Sequence, residues 1–228
     1  MKKRILISGG NGKLACAIKK HEGASKYIIT TPSKKRMDIC DINSISKVIN
    51  EVKPDYFIHA AAFTRPMKKH EEFPDKSIKA NIIRTANVAI VCNSKSIKLV
   101  YISTDYVYPG TEGNYGEKSS LSPYSECNDG ISKYGWSKLG GECAVRITGN
   151  HLIIRACLCD YPFPHPAALV DVRKSLIYTK DAAPIILSLL DYQGIINLGG
   201  RAQSVFSFAQ QENKFIRKIF RNQINDAK

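Results

Sequence analysis

No apolar run in this 228-residue chain is long enough to cross a bilayer. The first, Ile5 to Ser8, is short and flanked by glycine, so it reads as neither a signal peptide nor a membrane anchor. There is no C-x-x-C and no His/Cys spacing that suits a metal ion, so no metal site is expected. The seven cysteines (16, 40, 92, 127, 143, 157 and 159) are odd in number and scattered, which predicts free, mostly buried thiols in a reducing cytoplasm. Internal repeats and low-complexity linkers are also missing. Lysine and arginine outnumber aspartate and glutamate 34 to 20, for a net charge of +14. Yet no basic groove interleaved with aromatics and no nucleic-acid motif appears, so nucleic acid is not expected as a partner. Small polyanionic ligands suit the same charge.

What is present begins at once. Ile5-Leu6-Ile7-Ser8 has strand length and runs into Gly9-Gly10-Asn11-Gly12-Lys13-Leu14-Ala15, after which a helical pattern follows. A strand, a glycine turn and a helix open a βαβ nucleotide-binding unit. Gly9 suits the tight turn and Gly12 the close approach of a pyrophosphate. Ala15 is small enough for the helix to pack on the strand. Free N–H groups at the helix start favour a phosphate there.

Strands and helices then alternate. Strands are predicted at 4–8, 27–31, 55–60, 97–103 and 151–156, and helices at 12–21, 43–52, 76–94 and 131–148, with a long polar loop up to about 130. Regular alternation with near-continuous apolar strands argues an α/β fold, a doubly wound parallel sheet of Rossmann type. Residues 1–156 form the nucleotide-binding domain in this reading. Residues 157–228 form a reduced lobe interleaved with the last sheet strands, with strands at 175–179 and 194–198, a helix at 180–191 and an amphipathic basic helix over about 204–222.

Two further stretches carry chemistry. Thr104-Asp105-Tyr106 follows the fourth strand, and in open α/β sheets ligands sit at the carboxyl ends of strands. Tyr134 and Lys138 stand four apart on one helix face. An ammonium beside a phenol favours the phenolate and tunes it as a general acid or base near neutral pH. A hydroxyl from Thr104 can hold the same substrate oxygen.

Taken in order, these stretches resemble an extended short-chain dehydrogenase/reductase, and within that group the dTDP-4-dehydrorhamnose reductase-like, sugar-nucleotide-binding branch. The resemblance is good over residues 4–156 and loose over 174–210. It also draws on Met37-Asp38-Ile39, Pro54 to Ala62, Asn81 to Asn87 and Gly141-Glu142. It implies that Gly9, Asn11, Gly12, Lys13 and Leu14 hold the pyrophosphate and that Asp38 and Ile39 line the adenine. Ala60, Ala61 and Ala62, with Phe63 and Thr64, pass under the cofactor, and Asn81 supports the site. Thr104, Tyr134 and Lys138 match the catalytic triad, Lys138 also holding the nicotinamide ribose, while Asp105 and Tyr106 face the sugar.

The implied reaction is NADPH-dependent reduction of the C4 keto group of a nucleotide-linked 4-keto-6-deoxy sugar. The alternatives are a non-catalytic NAD(P)-binding regulatory subunit and a nucleotide-sugar 4-epimerase of the same fold. Related dehydratases carry Glu where Tyr106 stands, which disfavours loss of water. NAD-preferring relatives end the second strand with an acid; here Thr30-Thr31-Pro32-Ser33-Lys34-Lys35-Arg36 offers hydroxyls and cations to a 2′-phosphate. NADP(H) is therefore the preferred cofactor, with NAD(H) as the second. Relatives also imply a homodimer through a four-helix bundle of the 76–94 and 131–148 helices. Three departures stand out: Ala15 for the third glycine, Arg84 where glycine is usual, and a short segment between Arg155 and Thr179.

Overall fold

The computed structural model describes residues 1–123 and 131–225. In chain order the elements are β1 (Lys3–Ser8), α1 (Lys13–Lys20), β2 (Tyr27–Thr30), α2 (Ile42–Val52) and β3 (Tyr56–His59). Then come α3 (Lys68–Glu72), α4 (Pro74–Ser77), a π-helical stretch (Ile78–Ile83), α5 (Arg84–Ser94), β4 (Lys98–Thr104), α6 (Ile131–Ile147) and β5 (His151–Ala156). The chain continues through β6 (Leu158–Cys159), β7 (Ala167–Leu169), β8 (Arg173–Lys174), β9 (Ile177–Tyr178), α7 (Thr179–Ser188) and β10 (Gly194–Leu198). It closes with β11 (Gln203–Ser204), α8 (Val205–Gln210), β12 (Arg217–Ile219) and α9 (Arg221–Asn225).

Six parallel strands form the central sheet in the order β10-β5-β4-β3-β1-β2. The order reverses beside β1, so the crevice above the carboxyl ends of β1 and β3 is the topological switch point of a doubly wound sheet, with the end of β4 next to it. Both faces are covered, which is why β3 and β4 are buried at every position. On one face α1 and α7 pack Leu14, Ala15, Ile18, Ala182, Ala183 and Ile186 against Ile5, Ile7, Ile58 and Val100. On the other, Ile45, Val48 and Ile49 of α2 and Val88, Val91 and Cys92 of α5 cover Leu6, Phe57 and Leu99. Asp41 caps α2 by accepting from Asn43 N–H.

Three expectations are corrected. The basic helix expected over 204–222 is α8, a strand and α9 instead. Asn213 ends the helical course, its side-chain oxygen accepting from the Phe215 N–H, and β12 then pairs in parallel with β7. Ile216 alone turns inward there; Phe215 and Phe220 stay exposed, so no continuous apolar stripe exists to hold a helix. The strand expected at 175–179 shrinks to Ile177–Tyr178, because Ser175 gives its carbonyl to the Gly200 N–H instead. The thiols are less buried than expected: Cys92, Cys157 and Cys159 are interior, but Cys40 and Cys143 are exposed and Cys16 is half-buried. Cys127 and the end of the polar loop lie outside the described residues.

Candidate active site

The carboxyl end of β4 positions the first group. Thr104 is its last residue and buried, and its hydroxyl lies close enough to the Tyr134 phenol to act on it. The same hydroxyl donates to Asp105 Oδ1 (3.2 Å) and accepts from the Tyr106 N–H (3.3 Å), which folds 105–107 into a single tight turn. Gly135 lets α6 come this close: a Cβ there would overlap the Tyr106 carbonyl and crowd Pro123. Tyr134 and Lys138 are both buried, one turn apart on α6. The rings of His70 and Tyr106 flank Tyr134 at 5.1 and 6.0 Å.

The electrostatics differ from the expectation that Lys138 would pull the phenol down. Burial pushes Tyr134 well above its ordinary value, and the Thr104 hydroxyl only partly opposes this. Lys138 donates to the Ile102 carbonyl at 2.8 Å and sits 4.1 Å over the Tyr101 ring. Burial lowers its own amine to about 7. The phenol therefore keeps its proton at neutral pH, as a proton donor must.

Asn81 lies in the π-helical stretch and fastens two walls of the crevice. Its Oδ1 accepts from the Phe63 N–H (2.8 Å), and its Nδ2 donates to the Phe63 carbonyl and to Ser137 Oγ (both 2.9 Å). The Ala60-Ala61-Ala62 run, half-buried after β3, and the exposed Thr64 are thereby held beside α6.

The glycine turn stands over β1. Gly9 has φ +76°, and a Cβ there would lie 2.9 Å from the Ala61 backbone, so the turn needs glycine. Gly12 precedes α1 as its N-cap and offers no side-chain cap, which leaves the first N–H groups of the helix free of one. Asn11, Gly12 and Lys13 are exposed; Leu14 turns into the core, leaving only its backbone for a ligand. An uncapped helix start, a side-chain-free turn and neighbouring cations fit the pyrophosphate of a dinucleotide. Asp38 is held below the usual carboxylate range chiefly by the Cys40 N–H (3.0 Å). Ile39 packs half-buried beside it, and Ser33 and Lys34 are exposed after β2. Among the described residues no cluster could hold a metal ion.

Three charged residues escaped the sequence reading. Asp160, after β6, pairs with both Lys13 (2.8 Å) and Arg65 (3.3 Å), and Arg65 in turn acts on Tyr134. That chain of charges joins the glycine turn to the phenol in one crevice. Lys174, from β8, pairs with Asp105 at 2.6 Å and lies 3.7 Å over the Tyr106 ring, so both expected sugar-facing residues already carry a cation. No local pattern announces Lys174, which lies 69 positions from Asp105. Arg65 follows the Ala60–Ala62 run after Phe63 and Thr64 and could have been noticed there.

Residues 2–159 match the family described as RmlD substrate binding domain. Methionine adenosyltransferase 2 subunit beta of Pongo abelii is 29% identical over 150 residues, which cover 63% of this chain and 42% of that protein. A dTDP-4-dehydrorhamnose reductase of Sinorhizobium fredii is 29% identical over 154 residues, 67% of this chain and 49% of that protein. The chain thus spans less than half the length of either relative. The crystal structure of dTDP-4-dehydrorhamnose reductase from Bacillus anthracis, in complex with NADP, superposes with a TM-score of 0.85 at 26% identity, covering 98% of this chain and 86% of that one.

Proposed function

Since this chain belongs to the RmlD substrate binding domain family, we propose that it is an NADPH-dependent reductase, able to use NADH as second choice, of the C4 keto group of a nucleotide-linked 4-keto-6-deoxy sugar. The observation that carries the reading is that Thr104 at the end of β4 and Tyr134 and Lys138 on α6 are all buried and that the Thr104 hydroxyl acts on the Tyr134 phenol. A nicotinamide coenzyme, when bound, supplies the hydride. Gly9, Asn11, Gly12, Lys13 and the Leu14 backbone hold its pyrophosphate, and Asp38 and Ile39 flank the adenine. Ser33 and Lys34 serve the far ribose, Ala60 to Ala62, Thr64 and Asn81 form the floor, and Lys138 holds the near ribose.

Tyr134 gives its proton to the oxygen of the reduced carbonyl, and Thr104 holds that oxygen through the transfer. Lys138 shares one helix face with Tyr134, and its ammonium compensates the phenolate left behind. Asp105 and Tyr106 border the sugar. Residues 157–228 act as the reduced substrate lobe beside the 1–156 nucleotide-binding domain. The B. anthracis reductase with NADP supports the coenzyme. No helix among the described residues is long and apolar enough to cross a membrane, in keeping with work in the cytoplasm.

The test is loss of reduced-nicotinamide absorbance with dTDP- and UDP-4-keto-6-deoxy sugars offered separately. Turnover with either is expected, and none with both refutes the reductase. The similarity to methionine adenosyltransferase 2 subunit beta favours a second reading, a regulatory subunit that binds NAD(P) without turnover. Coenzyme binding without turnover, together with copurification of another enzyme, would select it. A 4-epimerase would retain oxidised coenzyme through purification, which an absorbance scan of fresh protein detects. Exposed Ile83, Ile90 and Trp136 on α5, α6 and the π-helical stretch support a homodimer through these helices.

A further inference from the structure

The end of β2 decides which coenzyme a doubly wound sheet accepts, because the far ribose lies there and an acid at that point receives its 2′-hydroxyl. In this chain no acid stands there: β2 ends at Thr30, and Thr31, Pro32, Ser33 and Lys34 follow. Of the loop cations, Arg36 is already engaged, pairing with Glu51 at 3.3 Å on α2. A different cation fills the position. Lys19, in the last turn of α1, extends back along its helix until its amine lies 3.2 Å from the Gly10 carbonyl and 3.5 Å from Thr31 Oγ1. Long helical side chains lean toward the N-terminus, which brings this one beside the glycine turn.

The two partners of the amine are neutral oxygens. None of the ion pairs among the described residues includes Lys19. Its charge is therefore uncompensated at the point where a ribose 2′-substituent meets both the glycine turn and β2.

We infer that Lys19 is the main determinant of coenzyme choice, pairing with the 2′-phosphate of NADPH between Gly10 and Thr31. Lys34 closes the same phosphate from the loop side. This rests on the coenzyme reading given above and adds a cation of α1 to Ser33 and Lys34. The selectivity follows from charge: an ammonium gains a charge-assisted bond to a phosphate but little from a ribose hydroxyl.

Fluorescence titration of NADPH and NADH into the full chain and into Lys19→Gln tests it. The glutamine keeps a donor near Gly10 and Thr31 while removing the charge. NADPH affinity is expected to fall by about ten- to a hundredfold with NADH affinity unchanged. Lys20→Gln, about 100° further round the helix, removes an equal charge and is expected to leave the NADPH/NADH ratio as it was. An unchanged ratio in Lys19→Gln, or an equal loss of both coenzymes, overturns the assignment while leaving the coenzyme reading standing. Failure of the parent chain to bind either coenzyme overturns both.

Discussion

Tyr134 and His59 show how burial sets chemistry one residue at a time. Tyr134 is kept protonated by its burial, which the Thr104 hydroxyl only partly offsets. Tyr134→Phe removes the proton donor but not the wall it forms. Turnover is expected to fall by about 10²- to 10⁴-fold with NADPH affinity within error of the parent; steady-state rates and a coenzyme titration check both halves. His59 is fully enclosed between Ser8 Oγ (2.6 Å) and Thr85 Oγ1 (3.0 Å), and burial, reinforced by Lys138, lowers it to about 3. The folded chain thus stays neutral at His59 while the unfolded chain takes up a proton below about 6.5. Between these values the unfolded state binds more protons, so stability falls as pH drops through the window and His59 has no effect above it. Urea midpoints measured down that window are expected to decline, and less steeply in His59→Gln.

Between elements, the strongest tie is a buried ion pair. Glu142 of α6 meets Arg155 of β5 at 2.7 Å with both side chains almost wholly enclosed. Glu142 also accepts from Ser103 of β4, and Arg155 donates to the Tyr108 hydroxyl and the Glu117 carbonyl. One charge pair therefore registers α6 against β4 and β5 and pins the loop after Thr104. Removing one partner strands the other in the core, at about 3–5 kcal/mol. Arg155→Met and Glu142→Leu are each expected to lose that much by urea denaturation. The double variant is expected to recover a large part, because no bare charge is left. Fitted slopes that match the parent would show that the fold itself is kept.

Across the whole molecule, one helical face carries exposed apolar side chains suited to a second copy. Trp136 and Ile90 remain more than half exposed on neighbouring helices, and Ile83 is half exposed in the π-helical stretch. Contiguous exposed apolar surface of this kind marks an interaction site. Trp136→Asp is expected to convert a dimer to a monomer in analytical ultracentrifugation, with the circular dichroism spectrum unchanged. An unmodified chain that sediments as a monomer would end the homodimer reading.

The doubly wound parallel sheet, the glycine turn and the burial-ready spacing of Tyr134 and Lys138 on one helix were legible in the sequence. They rest on local rules: apolar runs of strand length, helical spacing, and a φ that Gly9 tolerates. The helix expected over 204–222 was misread for the same reason. Phe208, Ile216 and Ile219 have helical spacing, but β7 offers a pairing edge that only the folded chain brings near. Tertiary structure alone decided the direction in which Tyr134 is shifted, since desolvation depends on what closes over the ring and not on the neighbour four residues away. It also decided where the charges go. Asp160 reaches Lys13 across 147 positions, Lys174 reaches Asp105 across 69, and Lys19 reaches Thr31 just after β2. Periodicity sets which face a side chain takes; only packing sets which distant charge it meets.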